Sequence, residues 1–281
     1  MTVLRPFAHL ALAVCLYLCL PQTVARASSF EALSGSPGLR SAAVVVADSE
    51  GRVIYRKDEK SVRSIASITK LMTAMVVLDS GLALDEKLTI APADRDLVQL
   101  TGSRLGMGAT LTREQMLMLA IMSSENRAAA ALGRHYPGGT EGFVRAMNAK
   151  AALLGMSDSI FADAAGLRVE NVSTAHDLMK LVRAADSYPL IRKASTTQRI
   201  EVRPWRDRGP LVYGNTNRLL KNPNWSIEVS KTGYLNEAGR CLVMQAVIEG
   251  EAVTIVLLNS FGKLTPFGDS NRLRKWMLAD G

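Results

Sequence analysis

A serine and a lysine three residues apart, Ser67 and Lys70, stand at the start of a strongly apolar stretch. A serine hydroxyl is a weak nucleophile until a nearby base accepts its proton. Residues three apart on a helix face the same side, so the amine of Lys70 can reach the oxygen of Ser67. The pair predicts acyl transfer by an activated serine, provided that the amine is uncharged near neutral pH.

The residues after this pair predict a helix that is buried on every side. Between residues 68 and 78 only Thr69, Lys70 and Thr73 interrupt the apolar side chains, and Gly81 follows as a C-terminal stop. A lysine in the first turn of such a helix is poorly solvated, which disfavours its charged form. We expect the pKa of Lys70 to fall from about 10.4 to roughly 7 to 8.

The tetrapeptide S-x-x-K is a weak signal by itself, because average residue usage gives about one copy in a chain of this length. The sequence has a second copy, from Ser260 to Lys263, which contains a glycine and runs into Pro266. We expect no helix there to hold the second pair. The assignment of Ser67 and Lys70 therefore depends on the rest of the chain.

The first 27 residues have the features of a secretory signal peptide. Arg5 precedes an apolar core at residues 7–20, and the small-x-small pattern at residues 25–27 predicts cleavage after Ala27. The core is too short to span a bilayer comfortably. We expect an exported protein of the periplasm without a stable membrane anchor. Loss of Arg5 and Arg26 with the signal peptide lowers the net charge from +8 to +6.

The remaining composition argues against metal, cofactor and nucleic-acid chemistry. One cysteine, Cys241, is left after cleavage, and its apolar neighbours predict a buried, inert thiol. His135 and His176 lie far apart and no Cys or His cluster accompanies them, so we expect no metal site and no cofactor. The basic residues are scattered and no nucleic-acid motif is present. A solvated surface is the favoured interpretation of the positive charge, and attraction to an anionic wall or membrane is the alternative.

Strand-like patterns lie at both ends of the chain and helix-like patterns lie in its middle. The sequence predicts a hairpin at 42–47 and 53–55, helices at 116–122, 128–132, 141–154 and 174–185, strands at 197–202, 211–213, 228–234, 241–248 and 252–258, and a closing helix at 271–278. Thr112 and Gln115 form a capping box, and Thr174 is a second candidate cap. We expect an α/β (α+β) fold with a signal peptide (1–27), an α/β subdomain (28–81 and 194–281) and a helical subdomain (82–193).

Three short polar patches occur in the order Ser67-x-x-Lys70, Ser124-Glu125-Asn126 and Lys231-Thr232-Gly233. Each has an ordinary structural interpretation, since serine and asparagine often cap helices and a glycine in a strand often marks a bulge. Their order, spacing and predicted settings together favour one shared site.

On these patches, and over essentially the whole mature chain, the sequence resembles the serine penicillin-binding proteins and serine β-lactamases, whose signature is S-x-x-K, then S-x-N, then K-T-G. It is most similar to the low-molecular-mass D-alanyl-D-alanine peptidases, and among them to the soluble endopeptidases of the penicillin-binding-protein seven/eight type. The resemblance implies a β-lactamase/transpeptidase-like fold. In that fold a five-stranded antiparallel sheet is flanked by helices, an all-helical subdomain is inserted, and the site lies between the two parts.

The resemblance also implies a role for each motif residue. The catalytic residues would be Ser67 as nucleophile, Lys70 as its base and Ser124 as a proton relay to the leaving amine. The substrate-binding residues would be Asn126 for the substrate backbone, Lys231 for positive charge, Thr232 for a carboxylate, and Gly233 and Tyr234 beside them. The backbone amides of Ser67 and Tyr234 would form an oxyanion hole, which is a large contribution to acyl-transfer catalysis.

The implied activity is hydrolysis of D-alanyl-meso-diaminopimelate cross-links in peptidoglycan through an acyl-enzyme, with β-lactams as acylating inhibitors. Three alternatives stay open: a D-alanyl-D-alanine carboxypeptidase, a class A β-lactamase and a non-catalytic wall-binding protein. The β-lactamase would need a deacylating glutamate, for which Glu170 is a crude match, and residues 163–167 look more like the peptidases.

Two departures from the carboxypeptidases favour an endopeptidase. Carboxypeptidases of the family usually have a C-terminal β-rich domain and an amphipathic anchor, whereas this sequence ends soon after residues 276–278. Their arginine for the terminal carboxylate has no clear counterpart, because residues 266–268 fall about where it is expected. Arg240 and Arg272 remain unassigned, as do protein partners and oligomeric state.

Overall fold

The computed structural model describes residue 30 and residues 33–279, so the predicted signal peptide of residues 1–27 lies outside the described residues. The strands in chain order are β1 (Ala43–Ala47), β2 (Val53–Lys57), β3 (Arg63–Ser64), β4 (Lys87–Thr89), β5 (Thr110–Thr112), β6 (Val172–Ser173), β7 (Arg199–Val202), β8 (Leu211–Gly214), β9 (Ser226–Leu235), β10 (Gly239–Ile248) and β11 (Glu251–Ser260). The helices are α1 (Thr69–Asp79), α2 (Arg113–Met122), α3 (Asn126–Arg134), α4 (Gly139–Leu153), α5 (Ala175–Asp186), α6 (Pro189–Thr196) and α7 (Thr265–Met277).

Five strands form one antiparallel sheet in the order β2-β1-β11-β10-β9. Every residue of β1 is buried, and successive side chains belong to two separate core clusters: Ala43 and Val45 to one, Val44 and Val46 to the other. Because side chains alternate across a strand, this division shows that both faces of the sheet are covered. The five-stranded antiparallel sheet flanked by helices is therefore confirmed.

Helix α1 lies at the centre of the helical layer. It packs against α2, α3, α4 and α5, and α5 in turn packs against β1, β10 and β11. Helix α7 packs against β10 and β11 and contributes Leu273 and Met277 to the core on the other face of the sheet. All residues of α1 from Thr69 to Val77 are buried, so the prediction of a helix enclosed on every side is confirmed.

Most of the local predictions hold. The hairpin is β1 and β2, the capping box of Thr112 and Gln115 opens α2, and the hydroxyl of Thr174 accepts a hydrogen bond from the amide of Asp177 at the start of α5. Cys241 is buried, and burial raises the pKa of its thiol to about 11, as expected of an inert cysteine.

Three local expectations were wrong. The sequence predicted no helix between residues 186 and 196, but helix α6 begins at Pro189, because proline is well tolerated at the first helical position, where its missing N–H leaves no bond unmade. The closing helix begins at Thr265 rather than at residue 271. The region expected to be all-helical also contains the two-stranded ribbon of β4 and β5.

The early start of α7 means that a helix does follow the second S-x-x-K, contrary to expectation. The pair is nevertheless not brought together. The hydroxyl of Ser260 is buried and shares a hydrogen bond of 2.7 Å with Ser41, whereas Lys263 is exposed at the turn before α7.

The division into two subdomains remains a prediction. Helices α5 and α6, placed by the sequence in the helical subdomain, pack against the sheet, α6 against β9. This packing favours a C-terminal boundary nearer residue 174 than residue 193. Within residues 33–279 no helix has the length and apolar character that a membrane crossing requires.

A buried carboxylate, Asp269, ties α7 to the start of β1. It accepts hydrogen bonds from the amide of Arg40 at 3.1 Å and from the amide and hydroxyl of Ser41 at 2.7 and 2.5 Å, and it pairs with Arg272. Burial acts to raise the pKa of this carboxyl, but the bonds from Ser41, Arg40 and Arg272 outweigh burial and lower the pKa below its ordinary value. The network positions the last helix against the sheet.

We expect Asp269→Asn to lower the free energy of unfolding by about 1–3 kcal/mol at pH 7, because an amide cannot accept all of these bonds and leaves buried donors unpaired. The native pKa is below the unfolded value, so the stabilisation is present above about pH 4 and disappears as pH falls through the native pKa. Urea denaturation at pH 7 and pH 3 measures both effects. The exposed Asp207→Asn is the control, and equal midpoints for the two variants at pH 7 would contradict the role of Asp269.

Candidate active site

Ser67 lies in a single 3₁₀ turn, Ala66–Ile68, that leads directly into α1. The preceding residue, Ala66, has a φ of +47°, in the left-handed region that side chains other than glycine rarely adopt. Strained backbone of this kind persists only where the surroundings hold it in place. The hydroxyl of Thr69 does so in part by donating a 2.8 Å hydrogen bond to the carbonyl of Ala66.

Two glycines pack against this turn. A Cβ at Gly166 would lie 2.0 Å from the carbonyl oxygen of Ala66, and a Cβ at Gly233 would lie 3.0 Å from the carbonyl oxygen of Ile65 and 3.3 Å from the amide nitrogen of Ser67. Any side chain at Gly166 would displace the turn. The third predicted patch, which contains Gly233, is therefore in direct contact with the first.

Lys70 is fully buried and makes three hydrogen bonds through its amine. Its Nζ lies 2.8 Å from Ser67 Oγ, 2.7 Å from Asn126 Oδ1 and 2.6 Å from the carbonyl oxygen of Ala165. The last two atoms can only accept hydrogen bonds. A neutral amine donates its two hydrogens to them, and its lone pair is then directed at the hydroxyl of Ser67.

The surroundings favour this neutral form. Burial lowers the pKa of Lys70 from 10.5 to about 7, and the negative charges of Asp163, Glu125 and Asp96 oppose burial without overcoming it. A base with a pKa near the working pH combines a large neutral fraction with useful basicity. The pKa is at the lower end of the range expected from the sequence.

The loop that holds Lys70 from the far side is organised by Asp163. The carboxylate of Asp163 accepts hydrogen bonds from the amides of Ala165, Gly166, Leu167 and Arg168 and from the side chain of Asn171. The same loop offers two carbonyls to α1: Ala165 to Lys70, and Ala164 to the hydroxyl of Thr73 at 2.6 Å. Asp163 thus positions the partner of Lys70 and also supplies charge to it.

The second and third patches meet through Ser124 and Lys231. The buried amine of Lys231 donates to the hydroxyl of Ser124 at 2.9 Å and to the carbonyl of Thr232 at 2.9 Å. Ser124 has a φ of +60°, between α2 and α3. Burial, with a smaller contribution from the charge of Lys70, lowers the pKa of Lys231 well below its ordinary value.

A cleft of about 760 Å³ connects these groups. Six of the eight predicted site residues line it: Ser67, Ser124, Asn126, Thr232, Gly233 and Tyr234. Lys70 and Lys231 are the other two, and they lie buried behind Ser67 and Ser124. The structure therefore brings all eight into one site, and their individual roles remain predictions.

The sequence missed several partners of these residues. The hydroxyl of Thr216 accepts a 2.7 Å hydrogen bond from the hydroxyl of Thr232. The hydroxyl of Thr101 accepts a 2.9 Å hydrogen bond from the side-chain amide of Asn126. The aspartate and glycine in Asp163-Ala-Ala-Gly166 signalled a turn, which could have pointed to an ordered loop. No sequence signal identifies the carbonyl of Ala165, because backbone acceptors occur at every residue.

The geometry defines a class of protein. A serine in van der Waals and hydrogen-bond contact with an uncharged lysine, in a cleft lined with further donors, is the arrangement of an active-serine acyl-transfer enzyme. Within residues 33–279 no cluster of three or more His, Cys, Asp or Glu side chains could hold a metal ion. The chemistry available to this site is nucleophilic attack by Ser67.

Comparison with known proteins agrees. Residues 34–262 match the model of the D-alanyl-D-alanine carboxypeptidase family. The chain is 46% identical to a D-alanyl-D-alanine endopeptidase of Escherichia coli over 92% of this chain and 83% of that one, and 46% identical to one of Pseudomonas aeruginosa over 94% and 86%. The crystal structure of the Streptomyces K15 DD-transpeptidase is similar with a TM-score of 0.80 at 28% identity, covering 88% of this chain and 100% of that one.

The chain belongs to the D-alanyl-D-alanine carboxypeptidase family. It is a serine-type D-alanyl-D-alanine peptidase of the penicillin-binding-protein group, as the three motifs predicted. The predicted β-lactamase/transpeptidase-like fold is confirmed by the same neighbours.

The close approach at Gly166 generates a first prediction for the site. Gly166→Ala should slow acylation of Ser67 by a fluorescent penicillin about 100-fold, because the new Cβ displaces the turn that carries the nucleophile. Gly155→Ala is the matched control: both glycines have positive φ, +73° and +67°, but a Cβ at Gly155 meets nothing within 4 Å. Equal acylation rates in the two variants would contradict displacement of the turn by the new Cβ.

The pKa of Lys70 generates a second prediction. The rate of Ser67 acylation should rise with pH and level off above about pH 7, because the neutral amine is the base. Asp163→Asn should move the midpoint to lower pH, because the charge of Asp163 raises the pKa of Lys70, and should also lower the plateau by loosening the loop. Stopped-flow acylation from pH 5 to 9 measures both.

Glu170→Gln is the control for this experiment, because Glu170 is an exposed carboxylate on the same loop that pairs with Arg168. Its midpoint should equal that of the wild type, since exposed charges are screened. A midpoint in Asp163→Asn that stays in place, or moves to higher pH, would refute the electrostatic link to Lys70.

Proposed function

We propose that the protein is a D-alanyl-D-alanine endopeptidase that hydrolyses D-alanyl-meso-diaminopimelate cross-links in peptidoglycan. The observation that carries the proposal is the 2.8 Å contact between Lys70 Nζ and Ser67 Oγ, with the pKa of Lys70 lowered to about 7. Cleavage within a cross-link, rather than at a chain end, is supported by the two relatives at 46% identity, both of them named endopeptidases.

Acylation begins with the neutral amine of Lys70, which accepts the proton of Ser67 as its oxygen attacks the D-alanyl carbonyl. The backbone amides of Ser67 and Tyr234 stabilise the oxyanion of the tetrahedral intermediate. When the intermediate collapses, the carbon–nitrogen bond breaks and Ser124, which is hydrogen-bonded to Lys231, relays to the leaving amine the proton that Lys70 accepted, so that Lys70 is neutral again. The D-alanyl group is then an ester on Ser67.

In deacylation, water takes the place of the leaving amine. Water attacks the ester carbonyl and gives a proton to the neutral amine of Lys70. The bond to Ser67 then breaks and releases the D-alanyl carboxyl group, and Lys70 returns the proton to the Ser67 oxygen. Asn126 and Thr232 hold the substrate during both steps, through its backbone and a carboxylate respectively. Lys231, which is hydrogen-bonded to the carbonyl of Thr232, adds positive charge there once a bound carboxylate favours its ammonium form.

The class A β-lactamase alternative lacks its deacylating base. Glu170, the residue that alternative requires, is exposed, pairs with Arg168 and does not line the cleft. A slow deacylation by Lys70 alone suits a protein that β-lactams inhibit. The proposal also includes export to the periplasm, with cleavage after Ala27, since peptidoglycan is the substrate there.

Digestion of purified cross-linked muropeptide dimers, followed by mass analysis, tests the function. We expect dimers to disappear and monomers to accumulate with wild-type protein, and no cleavage with Ser67→Ala. Ser260→Ala, at the serine of the second S-x-x-K, should keep the activity because Ser260 bonds Ser41 and not a lysine of the site.

Each alternative function predicts a different result, either in that digestion or in an assay with a chromogenic cephalosporin. A carboxypeptidase removes only a terminal alanine from pentapeptides and leaves dimers intact. A β-lactamase hydrolyses a chromogenic cephalosporin with rapid turnover, whereas an endopeptidase forms a long-lived acyl-enzyme. Full lytic function in Ser67→Ala would support a non-catalytic wall-binding protein.

A further inference from the structure

Four cationic side chains outside the three motifs line the catalytic cleft: Arg218, Lys221, Arg240 and Lys263. We call these four residues the cationic rim. They come from three separate segments: the 3₁₀ helix Arg218–Lys221, strand β10, and the turn between β11 and α7. No aspartate or glutamate is among the residues that line the cleft.

The rim is unlike most of the basic surface. Elsewhere in the described residues, basic side chains commonly pair with acids, as Arg134 does with Asp94 at 2.8 Å. Within residues 33–279 no carboxylate lies within ion-pair distance of any of the four rim residues. Like charges gathered in a concave site repel each other and attract anions, because the low-dielectric walls focus the field. The rim is therefore a site for negative charge that the chain itself does not supply.

Arg240 is the member of the rim whose side chain stacks on an aromatic ring. Its guanidinium lies 3.6 Å from the centre of the Tyr234 ring, and Arg240 and Tyr234 are paired residues of β10 and β9. Stacking fixes the plane of the guanidinium and leaves its N–H edge free. A fixed planar donor of this kind is suited to bidentate binding of a carboxylate. Tyr234 directly follows Gly233, so this donor is next to the K-T-G patch.

We propose that the cationic rim, with Arg240 as its principal contact, binds carboxylates of the cross-linked peptide other than the group held at Thr232. This specificity rests on the proposed function. Each diaminopimelate of a cross-link keeps one carboxyl group outside any amide bond. That of the acceptor stem adjoins the broken bond and is the group assigned to Thr232, whereas that of the donor stem lies one residue before the D-alanyl group. The rim selects cross-links whose donor-stem diaminopimelate carboxylate is free over those in which it is amidated.

Two synthetic dimers that differ only at this donor-stem carboxylate test the proposal, one with the free acid and one with the primary amide. Wild-type protein should cut the acid dimer with a kcat/KM about tenfold higher than the amide dimer, mainly through KM, and the ratio should fall as salt is added. Arg240→Gln should reduce the ratio to near one. Lys263→Gln, on an exposed flexible side chain, should reduce it by a smaller factor.

Arg206→Gln is the matched control, because Arg206 is an exposed arginine between β7 and β8 that does not line the cleft. It should keep the wild-type ratio. A wild-type ratio of one, or an Arg240→Gln variant that loses kcat/KM equally on both dimers, would overturn the proposal and leave Arg240 a structural role through Tyr234.

Binding separates failure of the rim from failure of the proposed function. The affinity of Ser67→Ala for each dimer is measured without turnover. If wild-type protein cuts neither dimer but Ser67→Ala binds the acid dimer about tenfold more tightly, the endopeptidase assignment fails and the rim stands. Equal affinity for both dimers refutes the rim, whatever the cleavage assay shows.

Discussion

The burial of one amine, that of Lys70, is the constraint on which the site depends. Its contacts are with Ser67, one turn away, and with Asn126 and Ala165 from two distant parts of the chain, and none of the three partners is a carboxylate. A carboxylate in contact would keep the amine protonated. The nearby acids act only at a distance, so they keep the amine basic while burial keeps it neutral.

The burial that lowers the pKa of Lys70 arises because other helices enclose α1 and separate it from solvent. The residues of α1 that face its neighbours are apolar, and the two buried threonines, Thr69 and Thr73, satisfy their hydroxyls on carbonyls of Ala66 and Ala164. Buried polar groups are costly unless they are paired. The same bonds that remove this cost fix the turn of Ser67 and the loop beside Lys70, so stability and geometry have a common origin.

Much of the site could be predicted from the sequence because its residues combine rare chemistry with local signals. The serine and lysine lie at the start of a helix that is apolar on nearly every side, and the K-T-G patch lies in a predicted strand. The sheet was predictable for the same reason. The helix after Tyr188 was not, because a proline in the first turn looks like a breaker although it is compatible with a helix start.

What could not be predicted are contacts made by backbone atoms and by residues that only the topology brings together. The carbonyl of Ala165 could not be predicted as a partner of Lys70, because every residue type has a backbone carbonyl. Arg240 and Lys263 can be recognised as members of one site only when the fold brings β10 and the turn before α7 to the same cleft. Local patterns specify elements, whereas the distance between elements depends on the packing of the whole core.

The two buried lysines of the site are in different electrostatic situations. Lys70 has three acids in its surroundings that raise its pKa, whereas burial and the charge of Lys70 both lower the pKa of Lys231. An anionic substrate group bound beside Thr232 would raise the pKa of Lys231, since an opposite charge favours the ammonium form. By linkage, a protonated Lys231 then binds that group more tightly than a neutral one. The positive charge of the catalytic cleft is therefore partly a consequence of the substrate it accepts, and Lys70, which contacts Ser67 directly, remains the group that determines when Ser67 can react.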